Sequence, residues 1–274
     1  MTMEGMEGEE NRDDRTVTGR VVAVLDAVAA RGEPVGLADL TREVGIPKPT
    51  VRRIAADLVA RRMLERGPDG RYRLGPHLLD LGSRAALQQG LLTAATPHVQ
   101  DLFARTGEIA WVCRISDGSI SFMAMAFGAN RAPDVRRGEW PNDPRSPALQ
   151  GSALGRVLLA ERPDLLDGLH GRPPAPQTPR GTTSWPRFLD ELKEVRDTAV
   201  AVEHEQIHLG FSCVATGVRD PGGALIGCLG VTGRTGRLST RSMARLLRVA
   251  AEDITRGAET LLEPPRPPEG RQPS

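Results

Sequence analysis

Aromatic side chains make up only 3% of the 274 residues: one tyrosine, three tryptophans and five phenylalanines. Any sizeable core must therefore come from Leu, Val, Ala and Ile. Cysteine is scarce too, and three without paired spacing exclude a disulfide framework and point to a reducing compartment. No charge of one sign dominates, since 36 Lys and Arg face 35 Asp and Glu for a formal +1. Long apolar runs are missing; the longest, around residues 224–231, falls far short of the roughly 20 residues a membrane helix needs. The N-terminal residues have neither the basic nor the apolar region of a signal peptide, so a cytoplasmic location without a membrane partner is expected. What remains, 39% hydrophobic and 26% charged, is ordinary for a globular protein, and the length suggests two domains.

The charge is unevenly placed. Residues 15–85 hold thirteen Lys and Arg against eight Asp and Glu, a formal +5 within a near-neutral chain. That local excess is what a nucleic-acid module carries. Residues 1–14 offset it with Glu4, Glu7, Glu9, Glu10, Asp13 and Asp14 against Arg12, and this acidic, apolar-poor tail reads as disordered.

Within the basic stretch, Leu37, Leu40 and Val44 recur at helical spacing, Gly45 supplies a tight turn, and Val51, Ile54 and Leu58 repeat again. Pro47 and Pro49 bracket the start of that second helix, where proline is tolerated. Arg52 and Arg53 fall off its apolar stripe, open to a phosphate or a base edge. Residues 63–66, Gly67-Pro-Asp-Gly70 and Arg71-Tyr-Arg73-Leu74 read as strand, turn and basic strand. Val21, Val22, Leu25 and Val28 mark a first helix that closes the core. The pattern is a winged helix-turn-helix over residues 15–75. Such units also dock proteins, and an exposed arginine is often merely solvated.

A helix over 76–90, with Leu78, Leu79, Leu81 and Leu87, reads as the linker to residues 91–263, followed by a disordered tail over 264–274. The second domain begins with a helix to about residue 105. A hairpin follows, formed by 109–115, the turn Asp117-Gly118 and 120–125. Then come a loop entering a buried helix at 151–160, an exposed Pro/Gly-rich loop over 171–186 and a helix over 188–198. Strands near 200–204, 211–218 and 224–232 precede a last helix over 241–262. This is an α+β domain large enough for a ligand cavity.

Two patterns suggest chemistry. His204-Glu-Gln-Ile-His208 spells HExxH, but that zinc motif works only on a helix, and its surroundings here lean to strand. Cys213 raises the question of a nucleophile, yet neither a base nor an oxyanion hole is evident. No catalytic residue, metal site or cofactor is assigned. A cytosolic hydrolase with a helix-turn-helix docking domain stays the alternative to a DNA-binding regulator. An architectural binder without a ligand is a further rival.

The chain resembles the IclR family of bacterial transcription regulators over residues 17–262. Leu40, Gly45-Ile-Pro47, Lys48-Pro-Thr50 and Arg53-Ile54 are similar to its N-terminal pattern. Ser152 to Ala160, then Glu203, Glu205, Gly210 and Cys213-Val-Ala215, then Asp220-Pro-Gly-Gly223 and Gly230-Val-Thr-Gly233, are similar to blocks of its second domain. The resemblance implies a GAF-like effector-binding domain with an antiparallel sheet. It also implies homodimers or homotetramers on an inverted-repeat, double-stranded operator, repressing or activating under a small-molecule effector that acts through the linker. It places Ala153, Leu154, Glu203, Cys213, Gly230 and Thr232 around the effector. The recognition helix, about residues 49–62, would put Thr50 and Arg52 or Arg53 on bases, with Arg20, Lys48, Arg71 and Arg73 on phosphates. Two departures stand out. Pro49 replaces a usual serine, leaving Thr50 or backbone N–H groups to serve; Leu154 and Gly230 make the cavity less polar, favouring a bulkier or more apolar effector, or none, over a small oxoacid.

Overall fold

The computed structural model describes residues 16–87, 90–116, 119–137 and 143–262. The acidic tail, the turn Asp117-Gly118 and the C-terminal tail lie outside the described residues, as do residues 88–89 of the expected linker helix. The chain divides into two compact units that meet in sequence at Ala85/Ala86.

The first unit contains α1 (Val17–Ala29), α2 (Leu37–Val44), α3 (Lys48–Ala60) and a two-stranded antiparallel sheet of β1 (Leu64–Arg66) and β2 (Tyr72–Leu74). Thr16 caps α1 by accepting the Gly19 N–H at 2.8 Å. Gly45 ends α2 at φ +63°, a left-handed conformation that lets the chain reverse within a few residues into α3. The core is formed by Val24, Val28, Leu40, Val51, Ile54, Leu58, Leu64 and Tyr72. The stripe on α1 differs from the expected one: Val24 and Ala27 are buried, whereas Val22 is 47% exposed. Four apolar residues close together on one helix do not fix which face turns inward; contact with α2 and α3 does. Tyr72, the single tyrosine, is core, and its backbone bridges to Val35, which holds the wing against the bundle. The helix α4 (Pro76–Leu87) follows the wing.

In the second unit, β3 (Ile109–Ser116), β4 (Ser119–Ala126), β5 (Val200–His204), β6 (Phe211–Arg219) and β7 (Leu225–Arg234) form one antiparallel sheet in the order β4-β3-β7-β6-β5. Alternation decides what each face carries. Ala110, Val112, Val214, Val218, Leu229 and Val231 meet α5 (Gly90–Thr106) and α10 (Thr240–Leu262). The α10 contribution, Met243, Leu247, Ala250, Ala251 and Ile254, is one helical stripe. Ile109, Trp111, Cys113, Cys213, Ala215 and Cys228 meet α7 (Pro147–Gly151) and α8 (Ala153–Glu161) on the other face. With both faces covered, β3 is buried at five consecutive residues. A short helical stretch, α6 (Ala132–Arg137), follows β4, and α9 (Trp185–Thr198) packs on α8 through Phe188 and Leu192. The 129–137 and 147–151 helices have no counterpart in the sequence reading, because each is too short to show a period.

Candidate functional site

The outer face of α3 is the candidate nucleic-acid surface. Its inner stripe, Val51, Ile54 and Leu58, is fixed in the core, which turns Arg52 and Arg53 outward, both exposed. Lys48 is exposed on the first turn, and Thr50 beside it is half-buried. No side chain caps α3, and the Thr50 N–H donates to the Pro47 carbonyl at 2.8 Å. That N–H is therefore not offered to a phosphate, and Pro49 has none to offer. Arg20 lies half-buried on α1. The two wing arginines are paired. Arg73 opposes Glu65 across the hairpin with Nη2 2.7 Å from the carboxylate, while Arg71 donates to the Pro34 carbonyl at 3.2 Å and stands 3.8 Å from Asp69. Exposed pairs of this kind contribute ~0–1 kcal/mol, so a phosphate can displace the carboxylate at little cost.

In the second unit the sheet register brings distant residues together. Glu203 is opposite Cys213, Cys213 opposite Thr232, and Gly230 opposite Trp111. Glu203, Cys213 and Thr232 thus form a row across three strands, with Trp111 beside it. They line a cavity of about 80 Å³ together with Phe122, Ser152, Leu154, Ile207, His208 and Phe211. This exceeds the roughly 10–15 Å³ needed for one water and is well below the ~300–1,000 Å³ of drug-sized sites.

Of the six residues expected here, Leu154, Glu203, Cys213 and Thr232 line the cavity. Ala153 is fully buried in the core behind it. Gly230 is the floor on which Trp111 lies: a Cβ there would overlap the ring at Cζ2 and stand 2.7 Å from Cε2. A side chain at 230 would not reach the cavity, so its absence admits the indole rather than removing polarity. Trp111 in turn donates to Thr232 Oγ1 at 3.0 Å, and Thr232 donates to Cys213 Sγ at 3.3 Å. Phe122 packs edge-on to Trp111, centroids 5.6 Å apart. Sequence reading missed Trp111, Phe122, Ser152, Ile207, His208 and Phe211 as lining residues. Alternation along β3 puts Trp111 on one face, but only the strand order shows that this face holds the cavity.

We expect Gly230→Ala to displace Trp111, lowering stability by about 2 kcal/mol in denaturant unfolding and red-shifting tryptophan emission. An unchanged emission maximum would contradict this packing.

The polar groups are tightly committed. Ser152 caps α8, accepting the Gly155 N–H at 3.1 Å and donating to the Leu149 carbonyl at 2.7 Å. Glu203 is 4% exposed; its Oε1 accepts the N–H of Gln206 and that of Ile207 at 3.1 Å, which holds the loop after β5. Burial raises its pKa, opposed by those two N–H groups and by Arg156. Arg156, buried and with its own pKa lowered by desolvation, sits 3.0 Å from Glu191 and donates to Gln206 Oε1 at 2.6 Å and the Val202 carbonyl at 3.3 Å.

The hydrolase chemistry finds no geometry here. His204 ends β5 and His208 lies in the following loop, so the helical face that HExxH needs does not exist. Among the described residues no group of three His, Cys, Asp or Glu is placed to hold a metal. Burial pushes the Cys213 thiol up to about 12, which keeps it protonated at neutral pH and poor as a nucleophile. Glu205 caps the loop instead, accepting the Gly210 N–H at 3.1 Å and pairing with Arg180 at 2.6 Å.

Among the described residues no helix is long and apolar enough to cross a membrane. Residues 17–68 match the model of the IclR helix-turn-helix domain, and residues 84–256 that of the bacterial transcriptional regulator IclR C-terminal domain. The chain is 28% identical over 230 residues to the DNA-binding transcriptional repressor YiaJ of Escherichia coli, spanning 80% of this chain and 79% of that protein. It is 29% identical over 224 residues to the glycerol operon regulatory protein of Streptomyces griseus, spanning 80% and 85%. An IclR homologue of Microbacterium hydrocarbonoxydans, crystallised with 4-hydroxybenzoate, shares the fold at a TM-score of 0.74 and 23% identity, over 88% of this chain and 98% of that one. With a helix-turn-helix in one unit, a sheet covered on both faces in the other and both family models matched in that order, the chain belongs to the IclR family of bacterial transcriptional regulators.

Proposed function

We propose that this regulator reads an inverted-repeat operator as a dimer or a pair of dimers in the cytoplasm, and that a small molecule in the 80 Å³ cavity controls it. In this reading residues 15–75 bind DNA, 76–90 link, and 91–263 bind the effector and oligomerise, with no catalytic step. The observation that carries it is α3: its buried stripe leaves Arg52 and Arg53 exposed on the face a recognition helix presents to the major groove. Arginine forms bidentate contacts with guanine. Lys48, Arg20, Arg71 and Arg73 supply phosphate contacts, which add affinity and salt dependence without sequence choice. The cavity and the ligand held by the Microbacterium homologue support effector control. Such control requires a ligand whose affinity differs between the DNA-competent and incompetent states.

Selection of genomic fragments by the purified chain should enrich one inverted repeat beside an operon. Failure to enrich any site, with and without cell metabolites, would return the first unit to a docking role. On the selected site, Arg52→Ala or Arg53→Ala should cost about 1–3 kcal/mol and relax specificity. An equal loss on random DNA would remove base reading from that residue.

A further inference from the structure

We infer that the cavity takes a small apolar molecule whose hydrogen-bond donor, neutral or cationic, is aimed at Glu203, and that it discriminates against small carboxylates. This rests on the effector reading above. The walls are Trp111, Phe122, Leu154, Ile207 and Phe211, and Glu203 is the single carboxylate among the lining residues, which include neither lysine nor arginine. Its Oε1 is committed to the loop N–H groups, so Oε2 is the oxygen on which we place the ligand's donor.

Among the described residues, the other polar side chains lining the cavity are engaged or exposed, and Arg156, whose Nε is buried without a partner and whose charge acts on Glu203, does not line it. Thr232 is held between Trp111 and Cys213, and Ser152 is engaged at the start of α8. Two guanidinium groups pack against the walls without lining the cavity. Arg234 lies over the Phe211 ring, 4.4 Å from its centroid, and pairs with Asp134 at 3.3 Å. Arg156 is engaged by Glu191, Gln206 and Val202. His208 is exposed, where water screens any charge. A carboxylate entering this site would leave water to face Glu203, and the pair must then either take up a proton or hold two like charges in contact, so the acid binds more weakly than its alcohol at neutral pH. A hydroxyl or amine replaces its lost water with Glu203 and places its hydrocarbon against the rings.

The test uses two isosteric trios on the full chain: isobutyrate, isobutanol and isobutylamine, then benzoate, benzyl alcohol and benzylamine. Binding is read by calorimetry and by the shift in Tm. In at least one trio the alcohol or amine should bind about tenfold or more tightly than the acid, and Leu154→Trp, which fills the cavity, should abolish that binding. Glu203→Gln keeps an acceptor oxygen but removes the charge. It should weaken the amine, spare the alcohol and improve the acid. Should that variant fail to fold, the wild-type trios alone decide. An acid that binds as tightly as its alcohol, with Leu154→Trp abolishing it, overturns the donor class while the effector reading stands. A metabolite extract that shifts the Tm of the wild type but not of Leu154→Trp, with no trio member binding, likewise overturns the donor class alone. No shift from either the trios or the extract overturns both.

Discussion

Gly155→Ala is expected to destabilise the second unit by about 3 kcal/mol or more, seen as a fall of ~10 °C in its melting transition. A Cβ at this position would overlap the Leu149 carbonyl oxygen and stand 2.7 Å from Gln150 Cα. Both are backbone atoms of α7, so no flexible side chain can yield, and α7 must move away from α8. Those helices carry Leu149, Leu154, Val157 and Leu158 of the core beneath the cavity. Ser152, at their junction, would lose its bond to the Leu149 carbonyl. Gly151→Ala is the matched control: its Cβ meets only the tip of Ile207, at 3.4 Å, and should change stability by less than about 1 kcal/mol. Equal melting temperatures for the two variants would show that the junction relaxes freely.

Arg131→Met should be costlier still, about 3–5 kcal/mol in denaturant unfolding, because it strands a buried charge. Arg131 and Glu108 are both almost wholly buried, with Nη2 2.6 Å from Oε1 and 2.5 Å from Oε2. Arg131 also reaches Asp134 at 3.4 Å, and Asp134 pairs onward with Arg234, the residue stacked on Phe211 in the cavity wall. Gly233 makes room for the carboxylate, since a Cβ there would lie 2.8 Å from Glu108 Cγ. Adding Glu108→Leu to Arg131→Met should recover most of the loss, because the penalty comes from the unpaired charge rather than from a missing attraction. No recovery in the double variant would mean that the pair instead positions the 129–137 segment.

The DNA-binding unit is legible in the sequence because its information is local. Apolar residues at three- and four-residue steps, a glycine at the turn and a Gly-Pro-Asp-Gly hairpin each act within a few residues. The exception is α1, where Val22 faces water and Val24 the core, because one helix offers two adjacent apolar faces. The wing is legible as a hairpin but not as a paired one. Register alone sets Arg73 against Glu65.

The cavity of the second unit divides along the same line. Resemblance locates Glu203, Cys213 and Thr232, and the strand register places them in one row. Trp111 is 92 residues from the nearest of them along the chain. Its role depends on β7 inserting between β3 and β6, a pairing that no short-range pattern encodes. Gly230 is not a cavity residue for the same reason: the vacancy it leaves is filled from the neighbouring strand.

By itself, the sequence determined the two-domain division of labour, the winged helix and its outward arginines, and the alternation that gives each strand two faces. Propensity, periodicity and turn chemistry are short-range forces, and one chain displays them without folding. Only the tertiary structure decided which side chains lie against which: the indole on Gly230, the buried Glu108–Arg131 pair, and the single carboxylate among aromatic walls. These depend on strand order and helix docking, where desolvation turns a residue's neighbours, rather than its type, into its chemistry.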